Sequence, residues 1–375
     1  MALTNFASLT ADQKLVWSRE LWKEARDNTF LNKFVGTGQE AIIQRVTELT
    51  KTEKGEQVIM HLLADLEGDG VQGDNQREGS EEAMVSYNDK INIDLISHGV
   101  RNKGKLSEQK TVIGFRENAR DRLSFWLSNR MDQLGFLTLA GVSYGENNDG
   151  SPRTESTFSN LSFAADVAAP TSARHIRIDN SVVAGSIAAG NTAAVTATDT
   201  LSYSALVNIG TYAKNHYIKP LMKGGKAFYV CFMRPEAIAQ LKKDQDFQRA
   251  VVTAMPRSMD NQFFSGGITT VDGLIIHDHR LVYNTLGKTD GVDKWGAGSD
   301  VDGSRISVCG SQALGMADLG APEWAEKEFE YGSSQGINVD KMFGLLKPQF
   351  FSRYDKSVQD FGVLSVDHTI APENI

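Results

Sequence analysis

A chain of 375 residues with 41% hydrophobic and 23% charged residues has the apolar content to bury a core. Its 47 acidic against 39 basic residues give a net charge of -8, which lacks the basic footprint that duplex nucleic acid binding demands. Two cysteines, Cys231 and Cys309, exclude a disulfide framework and a cysteine-built zinc site, and no apolar run reaches the length of a membrane span.

The start, MALTNFASLTADQK, has no basic or apolar region of the secretion-signal kind, so the chain is expected to be soluble and made in a reducing compartment. Thr10 and Gln13 form a capping pair, and Leu15, Trp17, Leu21, Trp22 and Ala25 follow at helical spacing. So heavy an apolar load suits either a helix docked on its own core or an arm reaching a neighbouring subunit. Next, Val58, Met60, Leu62, Ala64 and Leu66 alternate with polar residues, as do Val85, Tyr87, Ile91, Ile93 and Leu95, with Asp89 the one break. Between the two runs lies EGDGVQGDNQREGSEE, with six acids against Arg77 alone. The pattern predicts a ribbon of two long strands with an acidic tip. A two-stranded ribbon is marginal alone in water, so its apolar face needs cover, which another copy of the chain is expected to supply.

Residues 111–139 read as one long helix carrying Phe115, Ala119, Trp126 and Leu134, ended by Gly141 and Gly145. The stretch 181–200 is almost entirely Ala, Gly, Ser, Thr and Val, which predicts an exposed insertion or thin ribbon. A helix over 201–217, a buried strand over 226–233 and a short helix opened by Pro235 follow. Strands are expected at 274–277, 305–309, 337–351 and 361–368. Helices and strands mix without a regular βαβ alternation, so the class is α+β.

Motifs that could carry chemistry lack their context. Gly141-Val142-Ser143-Tyr144-Gly145 matches a hydrolase nucleophile elbow, but a helix precedes it where a strand is required. His277 and His279 fall on one side of a strand and could serve a metal-dependent hydrolase, yet no second ligand cluster has matching spacing. The Asp65–Gly70 stretch resembles the start of a calcium loop, but position twelve is Gln76. Asp360-Phe361-Gly362 has no other kinase motif around it, Lys223-Gly224-Gly225-Lys226 is too short to cradle phosphate, and Cys231 reads as a small core residue. No catalytic residue, cofactor or metal is predicted.

Certain blocks, in their order, resemble the major capsid proteins of tailed phages, in particular those of the N-four-like phages. They are VWSRELW at 16–22, Ile42-Ile43-Gln44 with Glu48-Leu49-Thr50-Lys51, LEGDGVQGD at 66–74, YVCFMRPEAIAQL at 229–241 and NQFFSG at 261–266. Gly310-Ser311-Gln312-Ala313, Phe329-Glu330-Tyr331-Gly332 and the 336–343 run with Lys341 complete the set. The resemblance implies a Hong Kong 97-type capsid fold. Its parts would be an N-terminal arm at 1–54, an extended β-hairpin loop at 55–107, a peripheral domain at 108–219 and 331–375 with a spine helix, and an axial domain at 220–330. Residues 145–200, which match nothing in the family pattern, would be an insertion. It further implies an icosahedral shell of hexamers and pentamers of this chain around double-stranded DNA, built in the host cytoplasm. A separate scaffolding protein, a portal protein and a decoration protein would be its partners. The alternative within the same setting is another shell or decoration component. Candidate contacts between copies are Trp17 and Trp22 on the arm and Val58, Met60, Leu62, Tyr87, Ile91 and Ile93 on the ribbon.

Overall fold

A computed structural model of the chain describes residues 11–47, 55–63, 70–73, 78, 81, 86–104, 115–154, 157–254, 269–331, 333–352 and 354–370. Thr10 of the capping pair, Ala64, Leu66, Val85, most of the acidic tip, the first residues of the expected long helix and the 261–266 block lie outside them. The chain opens with α1 (Ala11–Asn28), a 3-10 turn (Leu31–Phe34), β1 (Val35–Gly36) and β2 (Ile43–Val46). The ribbon is β3 (Gln57–Leu63) with β4 (Ser86–Asn92), and β5 (Asp94–Arg101) leaves it. Helix α2 (Phe115–Ala140) is followed by three 3-10 turns, β6 (His175–Ile178) and β7 (Ile187–Ala189). Then come α3 (Tyr203–Asn215), β8 (Leu221–Lys223), β9 (Lys226–Met233), α4 (Pro235–Lys243) and α5 (Gln245–Ala254). The rest is strand: β10 (Thr269–Val271), β11 (Leu274–Asp278), β12 (Gly303–Cys309), β13 (Leu314–Asp318) and β14 (Glu323–Phe329). It ends with β15 (Ser334–Leu346), β16 (Gln349–Ser352), β17 (Ser357–Asp360) and β18 (Val363–Thr369).

Helix α2 has 26 residues, about 39 Å at 1.5 Å per residue, and contains neither proline nor a β-branched run. Its last seven residues, Leu134 to Ala140, are buried on every side, so this end runs through the interior and not over it. Gly141 stops it at φ +68, with Val142 N–H donating to Leu137 O (3.0 Å) and Gly141 N–H to Thr138 O (3.1 Å). That is the glycine-closed double bond expected at a helix end. A Cβ at residue 141 would also stand 2.5 Å from the Ala168 carbonyl oxygen. The Gly-x-Ser-x-Gly stretch is therefore a helix stop.

Two sheets flank this helix. The first runs β1-β2-β13-β15-β14, with β5 also paired to β15. The second runs β10-β11-β9-β12-β18-β6-β7, with β8 on β9. Both faces of the second sheet are covered. Val230, Phe232, Cys309 and Val363 enter the core shared with α1 and α2. Their neighbours Tyr229, Cys231, Met233, Val308 and Leu364 enter the core with α3 and α4. This explains why KAFYVCFM reads as a continuous apolar run rather than an alternating one.

The sheets are braided along the chain. β14, in the stretch expected to be axial, pairs with β15 of the first sheet, while β18, expected to be peripheral, sits between β12 and β6 in the second. The 145–200 stretch is not a free-standing loop. β6 lies parallel to β18 and β7 pairs back on β6, so it extends the second sheet. The expected strand over 337–351 is split by a break between Leu346 and Gln349, and β16 and β17 make a separate two-stranded hairpin.

Candidate functional site

The ribbon is where period-two patterning placed most of the candidate contacts. Its register sets Val58 opposite Ile91, Met60 opposite Asp89 and Leu62 opposite Tyr87, all on one face. The other face is polar: Gln57 Nε2 donates to Asn92 Oδ1 (2.9 Å), and His61 Nδ1 lies 2.7 Å from Asn88 Oδ1. Ile59 is an apolar member there, 40% exposed.

The expectation that a second copy must cover the apolar face is corrected for the described part of the ribbon, because the chain covers it itself. Val58, Met60, Leu62 and Ile91 are buried against Val46, Ala317, Leu346 and Phe361. Two glycines allow the approach: a Cβ at Gly315 would stand 2.6 Å from Met60 Sδ, and one at Gly344 would stand 2.1 Å from Asn92 O. No local signal announces this cover, because apart from Val46 it comes from Ala317, Leu346 and Phe361, more than 200 positions downstream. Tyr87 and Ile93 are half-buried at its margin, and Tyr87 Oη donates to Phe351 O at 3.4 Å. Asp89, the break in the pattern, faces inward and accepts from Gln349 N–H (2.8 Å). Burial raises its carboxyl above the ordinary range, against that hydrogen bond.

The ribbon is also pinned at its base. Asn92 donates from its backbone N–H (3.1 Å) and from Nδ2 (2.7 Å) to the Asp166 carboxylate. Asp94 accepts from Ser162 N–H (2.7 Å) and Oγ (3.1 Å). The 3-10 turns inside the 145–200 stretch thus fix the angle at which the ribbon leaves the body. Neither aspartate was singled out by the sequence, since each partner lies about 70 residues away.

The arm is docked from Ser18 onward. Ser18 Oγ donates to Pro322 O, and Trp22 is buried over the Lys341 ammonium at 4.0 Å from the ring centroid. Lys341 is itself buried and donates to Asp318, which also pairs with Arg45 at 2.8 Å. Trp17 lies on α1, and its side chain is outside the described set. Beyond α1 the chain turns under Asp132 of α2, which accepts from Phe30 N–H (2.9 Å) and Leu31 N–H (3.0 Å). Burial pushes this carboxyl up to about 6, against those two hydrogen bonds and Lys33. Leu31 then fills the notch at Gly135, where a Cβ would meet it at 2.4 Å.

Phe30 leads to His277 and His279. The His279 ring stacks between Phe30 (4.5 Å) and Phe136 (5.0 Å), and His277 meets Phe34 edge-on at 5.1 Å. Burial lowers His279 to about 4, with Arg280 adding to the effect, so both neighbours pack on a neutral ring. Among the described residues no group of three His, Cys, Asp or Glu side chains could hold a metal ion. The His-x-His pair serves as aromatic filling where arm, spine helix and second sheet meet.

Two further buried ion pairs brace the second sheet against the end of α2 and tie the β16–β17 hairpin to the end of β15. Arg305 on β12 donates Nε to Asp367 Oδ1 (2.7 Å) and Nη2 to Oδ2 (3.0 Å), while Nη1 caps Ala140 O at the end of α2 (2.9 Å). Burial alone would raise the Asp367 carboxyl, but Arg305 and then His175 hold it below the usual range. Lys347 and Asp360 form a second fully buried pair at 2.9 Å, which is the role of the Asp-Phe-Gly aspartate. Cys231 and Cys309 are buried thiols, and burial pushes Cys231 up to about 12. No described helix is long and apolar enough to cross a membrane.

The buried histidines, thiols and ion pairs described above fill or brace the core, and comparison with known proteins places the chain in a family. The model of a family described as phage capsid protein matches residues 5–372. The major capsid protein of Pseudomonas phage KPP25 is 47% identical over 367 residues, 97% of this chain and 96% of that one. The capsid of Ralstonia phage GP4 superposes with a TM-score of 0.75 at 27% identity, covering all of both chains. The capsid of cyanophage Pam1 shares the fold, with a TM-score of 0.70 at 18% identity over all of this chain and 97% of that one. The chain belongs to the phage capsid protein family: it has the Hong Kong 97-type capsid fold and is a structural component of a phage shell, not an enzyme.

Proposed function

We propose that identical copies of this chain assemble into hexamers and pentamers that close into an icosahedral shell around double-stranded DNA. The observation that carries the reading is a match over almost the whole chain, in sequence to one phage major capsid protein and in structure to a phage capsid. Many individually weak contacts then act together, so the closed shell is far tighter than any pair of subunits. The net charge of -8 suits a wall that should not bind packed DNA.

In this reading residues 1–54 are the arm, 55–107 the extended loop, 108–219 with 331–375 the peripheral domain, and 220–330 the axial domain. The buried Val58, Met60, Leu62, Ile91 and Trp22 act by holding ribbon and arm in place. Half-buried Tyr87 and Ile93, with exposed Ile59, remain available to a neighbour. A separate scaffolding protein sets the curvature, a portal protein occupies one vertex, a decoration protein binds outside, and assembly proceeds in the host cytoplasm. Negative-stain electron microscopy of the expressed chain tests this: capsomers or shells are expected, and a uniform monomer at all concentrations would refute it. Faithful, uniform shells from the chain alone would refute the scaffolding requirement.

A further inference from the structure

We propose that Gln312 is a positioning residue for the ribbon: a left-handed joint between the two sheets aims its amide at β2 and β3 and so sets the direction in which the ribbon leaves the body. The proposal deepens the shell reading and rests on it, because a shell of identical copies needs that direction to be the same in each. Residues 310–313 are the whole link from β12 of the second sheet to β13 of the first. Gln312 stands there at φ +51 and is 1% exposed. Among the described residues other than glycine with a positive φ, it alone is buried. A Cβ is strained in this conformation and a glycine is not, so the strain persists because surrounding contacts hold the residue there.

Those contacts come from side chain and backbone together. Both amide protons are used: Nε2 donates to Gln44 Oε1 on β2 (2.7 Å) and to His61 O on β3 (3.3 Å). The Gln312 N–H donates to Ala41 O (2.8 Å), just ahead of β2. One residue therefore ties β2, the ribbon and the sheet-to-sheet link. Within the described residues this amide holds β3 to the body, whereas β4 is held by Asn92 on Asp166 and by Asp89 on Gln349. Fixing both strands stops the ribbon from rolling about either one.

The joint itself is closed on two sides. Ser311 N–H donates to Lys219 O and Gly310 N–H to Gly362 O, both at 2.8 Å. A Cβ at Gly310 would collide with the Lys219 carbonyl, and one at Gly362 with the Ser311 carbonyl, so neighbouring backbone lies directly against the link. A side chain seated in so confined a joint has one direction in which to point, and that direction is the ribbon.

The test measures the ribbon-to-body distance in the dispersed chain by pulsed electron spin resonance. Nitroxide labels go on Ile59→Cys and Val182→Cys, both exposed, while the native Cys231 and Cys309 are buried and stay unlabelled. Gln312→Gly suits the backbone and removes the amide. Gln312→Asn also tolerates the left-handed conformation and keeps an amide, but one methylene too short to reach, and it decides the matter if the glycine variant does not fold. Both should keep the melting temperature within about 4 °C of wild type, because relief of strain offsets the lost hydrogen bonds. Both should displace or broaden the distance distribution and raise the concentration for half-assembly, read by sedimentation velocity, at least about tenfold. A wild-type distribution in both variants would overturn the positioning role. A larger fall in melting temperature in both would show that Gln312 serves stability at large, and would overturn it too. A displaced ribbon with assembly at the wild-type concentration would overturn its link to assembly. The distances are read on the dispersed chain, so they stand apart from the shell reading, which falls if wild type never assembles.

Discussion

Substituting Ile91 by alanine separates an intramolecular role for the ribbon face from an intermolecular one. Ile91 is fully buried, facing Val58 across the ribbon and packed with Met60 and Ala317. Its Cδ1 lies 3.0 Å and its Cγ2 3.0 Å from where Cβ atoms on Gly315 and Gly344 would stand, so backbone lies against it and cannot easily close a void. Removing the three outer carbons should then cost about 2–5 kcal/mol, the range for truncating a buried aliphatic side chain with little collapse. Against a total stability of about 5–15 kcal/mol this is a large fraction, readable as a shift in the denaturation midpoint of the dispersed chain. Ile59→Asp is the control: on the exposed ribbon face it should stay within about 0.5 kcal/mol in the same assay. Ile91→Ala within about 0.5 kcal/mol of wild type, with assembly lost, would refute the intramolecular packing.

Three further outcomes are expected. Asp132 has a folded-state pKa of about 6, raised above its unfolded value by burial, so protonation favours the folded state and that contribution, full below about pH 4, is lost as pH rises through 6. The stability of wild type relative to Asp132→Asn should therefore fall by about 2–3 kcal/mol between pH 4 and pH 7, and a flat difference would refute it. Lys347→Met should cost about 3–5 kcal/mol in denaturant unfolding by leaving Asp360 buried without its cation, and a neutral result would show that the pair is dispensable. His279→Phe should remain folded within about 1 kcal/mol, because a phenyl ring can stack between Phe30 and Phe136, and chelators should not lower the melting temperature of either protein. A chelator-dependent drop confined to wild type would restore the metal reading of the histidine pair.

Local patterning was enough to place β9 at 226–233, α4 at 235–243 and the body of α2, because each is set by periodicity, a proline at the helix start or a glycine stop. It placed Val58, Met60, Leu62, Tyr87 and Ile91 on one face of the ribbon, with the odd member Asp89, since alternation reports which side chains share a face, but it carried the row on to Leu95, which lies on β5 and is exposed. Periodicity cannot report what that face meets. Cover for the ribbon comes from β2, β13, the end of β15 and Phe361, and anchors for its base come from Asp166 and Ser162. The same limit hid Asp132 under the arm and Arg305 at the end of α2, charges whose partners are about 100 or more residues distant. It also made the low-complexity 181–200 stretch look detached, although β7 within it pairs with β6, which lies beside β18 from the far end of the chain.

The sequence by itself determined the class of the protein: an acidic, cysteine-poor chain with no catalytic constellation, an amphipathic arm, a ribbon and a spine. Composition and short-range order are enough to exclude chemistry and to define such elements. Only the tertiary structure decided which apolar faces the subunit keeps for itself. Burial depends on long-range pairing and on glycines that admit close approach, and neither leaves a periodic trace. The arm and the inner ribbon face turned out to be internal.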